Sequence, residues 1–174
     1  MSIHQLTRGK TRVGPLTVPS LALGTPLAVS YLHETAIRYA EVTVTNAEIK
    51  ALRAAPKTLV AAPGAGKIIE LVSALLFLDY GSNGLTESAD NLAIYYAGET
   101  VSVSTVIECT GFIDQTADTL IEALPTTAAA KTATATVNKA LTLKNTGDGE
   151  FAGNAAADTV MRVKVAYRVH TTGW

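Results

Sequence analysis

The run from Thr159 to His170 constrains this chain more than any other segment. Met161, Val163, Val165, Tyr167 and Val169 share one parity; Arg162, Lys164 and Arg168 take the other, with Val160 and Ala166 as apolar exceptions. A repeat of two is that of a strand with one face on a core and one in water or against a partner. A Gly/Asn/Asp-rich loop, Asn145 to Asn154, feeds directly into it. No reactive cluster accompanies the pair, which points to a scaffold rather than a catalyst.

Several other segments have the same character. Val42 to Thr45, Lys57 to Ala62, Lys67 to Tyr80 and Ala140 to Lys144 suit strands, with a bend expected near Ser73-Ala74. Leu92 to Tyr96 and Val101 to Cys109 suit a hairpin around Ala97 to Thr100. Two short helices are expected. The first is Ala47 to Ala54, capped by Asn46 and stopped by Pro56; the second is Ile113 to Leu124, with apolar residues at helical spacing and Pro125 at its end. Thr126 to Thr136 is an Ala/Thr-rich connection. The expected fold is mainly β: an antiparallel β-sandwich, jelly-roll-like, with one or two short helices.

Residues 1 to 40 differ from the rest. Pro15, Pro19 and Pro26 exclude helix interiors and central strands, so an extended N-terminal arm is expected ahead of a sandwich domain at 41 to 174. Its candidate contacts are the cations Arg8, Lys10 and Arg12 and the apolar Leu16, Val18, Leu21 and Leu23. Such an arm lies along another subunit or packs on its own domain as an edge strand, and both readings stand. Hydrophobic residues make up 48% of the chain but aromatics only 6%, so large anchors are scarce and association with other chains is expected to add stability.

The chemical readings are weak. A net charge of −1 disfavours general nucleic-acid binding. No stretch approaches the length of a membrane span or a signal core, so a chain made in a cytoplasm is expected. Ala61 to Ile68 imitates a phosphate loop but has Ala61 where Gly is needed and Ile68 where Ser or Thr is needed. The single cysteine, Cys109, has Glu108 beside it and no nearby histidine, which suits packing. His4, His33 and His170 give no ligand spacing. Asp148, Glu150 and Asp158 could surround a cation but lack the alternating ligand pattern, and turn and cap roles suit them better. No cofactor, no metal and no catalytic residue is expected.

The wording of Ile107 to Gln115, of Asn145 to Phe151 and of the closing Arg162 to His170 resembles structural proteins from tailed-bacteriophage virion gene blocks, over about Ala47 to His170. Within them the chain looks most similar to the capsid decoration, or cement, class. The resemblance implies a non-enzymatic β-rich homotrimer on the outer capsid surface that bridges neighbouring capsomers of the major capsid protein and fastens by terminal arms, with no nucleic acid and no membrane partner. The alternative is a tail- or fibre-associated virion protein acting in attachment. For that role Tyr95, Tyr96 and Trp174 are the aromatic candidates, and Tyr95 and Tyr96 point to opposite faces in a regular strand.

Overall fold

A computed structural model of the chain describes residues 36–87, 90–126 and 130–173. The strands are β1 (Arg38–Val44), β2 (Lys57–Val60), β3 (Lys67–Asp79), β4 (Leu85–Thr86), β5 (Leu92–Tyr96), β6 (Thr119–Ala123), β7 (Leu141–Asn145), β8 (Ala152–Gly153) and β9 (Val160–Thr171); the helices are α1 (Asn46–Ile49) and α2 (Ala133–Thr136). The architecture is mainly β, as expected, and every strand pairing is antiparallel. One sheet has the order β1-β9-β3-β6, a second β2-β7-β5, and β4 pairs with β8.

β9 lies where its sequence pattern places it. Met161, Val163 and Val165 are buried while Arg162 and Lys164 are exposed. β3 needs a correction along its length to keep one face apolar. Ile69 and Leu71 point inward, a bulge shifts the register between Leu71 and Ser73, and Ala74, Leu76 and Leu78 then point inward. Without the extra residue the second half of β3 would turn its leucines to the outside. The bend expected near Ser73-Ala74 is this bulge.

The expected helix at 113–124 does not form. Phe112 and Ile113 are buried in a turn, and Thr119 to Ala123 pairs with β3 as β6. Half-burying Ile121 against the core while Leu120 faces outward satisfies both the strand alternation and the open edge of β3. Asp118 accepts a hydrogen bond from Tyr80 N at 3.0 Å and Asp114 one from Gly111 N at 2.7 Å, so these carboxylates serve as turn caps. The first helix is shorter than expected, and Thr45, not Asn46, caps it. Thr45 Oγ1 accepts from Glu48 N while Glu48 Oε2 accepts from Thr45 N at 2.9 Å, the reciprocal pair of a capping box.

The two main sheets enclose one apolar cluster, to which Leu76, Leu78 and Val163 contribute from one side and Leu59, Ile94 and Leu143 from the other. One flank of the cluster is closed by residues 101–107. There the expected hairpin forms through single bridges rather than a full ladder: Val103 N donates to Ile94 O at 2.7 Å, and Ile107 N to Leu92 O at 2.8 Å. On its other side Thr105 N donates to Leu124 O at 2.8 Å and Thr126 N to Val103 O at 3.0 Å. This segment therefore stitches β5 of one sheet to the continuation of β6 in the other. The Ala/Thr-rich connection contains α2, capped by Thr132.

Candidate interaction surfaces

The expected arm contacts Arg8, Lys10, Arg12, Leu16, Val18, Leu21 and Leu23 lie outside the described residues, as do His4, His33 and Trp174. The structure shows what the other candidates do. Glu150 accepts from Arg53 N at 3.0 Å and Ala54 N at 2.8 Å, whereas Asp158 accepts from Ser82 N at 2.9 Å and from Asn154 Nδ2 at 3.0 Å. Those two carboxylates bind backbone amides in separate places and do not converge. Among the described residues no group of three or more His, Cys, Asp or Glu side chains is arranged to hold a metal ion, and no helix is long and apolar enough to cross a membrane. Lys67 opens a strand and Gly64 N donates to Asn138 Oδ1, so residues 63–67 form a turn held by a side chain. Cys109 is fully buried; burial pushes its thiol well above the ordinary range, and Glu87 and Glu108 add to the shift. Such a thiol is inert packing.

Two surfaces remain. The first is the outer face of the β1-β9-β3-β6 sheet. Strand alternation puts Tyr39 and Glu41 of β1, Arg162, Lys164 and Arg168 of β9, Glu70, Leu75 and Asp79 of β3, and Leu120 and Glu122 of β6 on this side. Tyr39 is 66% exposed and Leu120 59% exposed, values that mark large apolar side chains left uncovered among the described residues. Charges are paired across the strands: Arg162 with Asp79 at 2.6 Å, and Glu70 with Arg168 at 3.2 Å and His170 at 2.8 Å. Lys164 sits over the Tyr39 ring, 5.8 Å from its centre. The face is thus apolar at its flanking strands, with a zipped ionic middle.

The Glu70 cluster makes one prediction. Burial works to raise the Glu70 carboxyl, but hydrogen bonds from His170 and Arg168, together with their charges, outweigh it and hold the group below its ordinary value of 4.5. A carboxyl depressed by folding stabilises the fold above its unfolded value and loses that contribution as pH falls through the folded one. The wild type should melt higher than Glu70→Gln at neutral pH, and the gap should close as pH drops below 4.5. Because Glu70 is 45% exposed the gap will be small. Calorimetry at neutral and acid pH checks it, and a gap that persists in acid refutes it.

The second surface is a groove on the outer face of the β2-β7-β5 sheet. Tyr95 and Tyr96 point to opposite faces, as alternation requires: the Tyr96 hydroxyl donates inward to Ile69 O, while Tyr95 faces the groove. Thr142, Lys144 and Tyr95 form its floor, and Lys144 Nζ lies 5.7 Å from the centre of the Tyr95 ring. Burial pushes the Tyr95 hydroxyl up. The rims come from three separate segments: Arg53 after α1, Gly98 to Thr100 after β5, and Asn145 to Gly147 at the end of β7. The groove has two lobes of about 330 and 350 Å³ that share Tyr95, Thr100 and Lys144.

The rims are held firmly. Asn145 Oδ1 accepts from Gly147 N at 2.8 Å and its Nδ2 donates to Gly149 O at 3.2 Å, while Thr146 N donates to Asn91 O at 2.7 Å. Glu150, through the two amides it caps, ties the Arg53 turn to the same loop. Beneath lies Asp90, fully buried, whose Oδ1 accepts from Gly149 N at 3.3 Å. The Gly/Asn/Asp-rich loop that stands out in the sequence is the wall of this groove. Compared with known proteins, the chain matches no family model and no curated sequence.

Proposed function

We propose that this chain is a non-catalytic capsid decoration protein of a tailed bacteriophage, binding the outer shell as a homotrimer and bridging neighbouring capsomers of the major capsid protein. The observation that carries the reading is the outer face of the β1-β9-β3-β6 sheet, where Tyr39, Leu75 and Leu120 stand exposed beside a central ion-paired stripe. A sheet face left uncovered among the described residues supports a role in assembly. The strand order supports the same reading. If residues 101–107 are taken as a fourth strand beside β5, the sheet orders β1-β9-β3-β6 and β2-β7-β5-(101–107) would suit a jelly roll, an architecture common in capsid domains. The arm would add Leu16, Val18, Leu21 and Leu23 across a subunit boundary, with Arg8, Lys10 and Arg12 meeting an acidic shell surface. A tail- or fibre-associated role in attachment is the second reading, favoured by the groove over the other sheet.

Light-scattering mass and co-sedimentation with shells lacking the protein test the proposal. The full chain should be trimeric and pellet with shells. A chain beginning at Ala36, which keeps all of β1, should bind at least about tenfold more weakly, because each buried Leu or Val is worth about 1.5 kcal/mol or more. Leu120→Glu should also reduce pelleting with an unchanged circular dichroism spectrum. A monomer that ignores shells overturns the proposal.

A further inference from the structure

We propose that the groove over the β2-β7-β5 sheet is a binding site for an acidic oligosaccharide, with Arg53 and Lys144 meeting the carboxylate of a uronic acid residue. The inference does not depend on where on a particle the chain sits.

The charge balance at the site is the first reason. Arg53 and Lys144 both line the same lobe, and neither is in an ion pair with an acid among the described residues. Glu99, on the second lobe, is already opposed by Lys139 at 3.9 Å, and Glu150, which accepts from the backbone amides of Arg53 and Ala54, lies outside the lining. The lining of the first lobe therefore brings two cations and no acid, and an anion is the ligand that it would attract.

The kind of anion follows from the remaining lining. Tyr95, Thr100 and Thr146 bring hydroxyls around the two cations, and Tyr95 also brings an aromatic ring. That mixture suits a ligand rich in hydroxyls with one acid group per unit. Two lobes of about 330 and 350 Å³ that share a floor suit two or three linked sugar rings. An acidic peptide is disfavoured because the floor strand β7 is hydrogen-bonded on both sides, to β2 and to β5. An extended peptide has no strand edge to join there, and strand addition is what usually gives such a peptide its affinity on a sheet.

The test is calorimetric titration of the full chain with an oligogalacturonate, with maltohexaose as the neutral comparison and poly-L-glutamate as the peptide comparison. Arg53→Gln and Lys144→Gln each remove a charge from an exposed or half-exposed position, and circular dichroism verifies the fold. The expected result is binding of oligogalacturonate alone, weakened about tenfold or more by each substitution, as loss of a charged hydrogen bond implies. The proposal is overturned if oligogalacturonate does not bind, if maltohexaose or poly-L-glutamate binds as tightly, or if both variants bind like the wild type, which would place any polyanion binding elsewhere on the chain.

Discussion

Leu76→Ala should lower the free energy of unfolding by about 2–5 kcal/mol, the range for deleting a fully buried leucine where the surroundings relax only in part. Leu76 has no exposed surface, and it is flanked by Val163 of β9 and Ile121 of β6 on a face that looks across the core. Its neighbour Leu75 points the other way and is 39% exposed. Leu75→Ala should therefore stay within about 0.5 kcal/mol of wild type. Urea unfolding of the two variants measures both, with the denaturant slope as a check that the compactness of each state is unchanged. A large loss for Leu75→Ala with a small one for Leu76→Ala would refute the bulge between Leu71 and Ser73, since a shift of one residue exchanges their faces.

Gly147→Ala should be nearly as damaging, for the opposite reason. A methyl group at this position would lie 1.5 Å from Asp90 Oδ1 and 3.0 Å from Asp90 Cα. Asp90 is fully buried, so it cannot swing aside. Overpacking of this kind costs about 1–3 kcal/mol, and it pushes outward the loop that walls the groove, so stability and oligogalacturonate binding should fall together. Asp90→Ala removes the obstructing carboxylate. Among the described residues its Oδ2 has no hydrogen-bond partner and its Oδ1 accepts only from Gly149 N, so little is lost with it. The double variant should accordingly be more stable than the sum of the two single losses predicts. Strict additivity in urea unfolding would show that the carboxylate is not what Gly147 avoids.

Much of the fold is legible in the sequence because a half-buried strand declares itself by alternation. β9 and β3 are found that way, and even the bulge leaves a trace in the small pair Ser73-Ala74. The segment 113–124 misleads because Ile113, Ala117, Leu120, Ile121 and Leu124 have helical spacing by coincidence. Ile113 belongs to a turn packed under the sheet and Ile121 to a strand, and what decides between the readings is the open edge of β3, which lies some forty residues earlier in the chain and has no local signature. Residues 101–107 read as a strand, but their role in joining two sheets depends on partners on both sides. The groove is less legible still. Tyr95, Lys144 and Arg53 are ordinary residues in their own segments, and only strand register brings Tyr95 and Lys144 to one face. The clamp from Glu150 to the Arg53 turn spans 97 positions, so no motif spacing could have disclosed it.

The position of β9 governs how the chain can be made. It is the last of the nine strands in chain order, yet it lies between β1 and β3, and among the described residues β1 has no other sheet neighbour. Until Thr159 and its successors emerge, β1 and the first half of β3 lack the strand that each pairs with among the described residues. At roughly 5–20 residues per second the nascent chain spends several seconds in that condition. Closure of this sheet therefore waits for the last of its strands and joins segments far apart in the chain, with the slow rate that such distant contacts impose. Chains that stop short of β9 should be left as adhesive intermediates rather than as smaller working proteins, because this sheet cannot close without its interior strand.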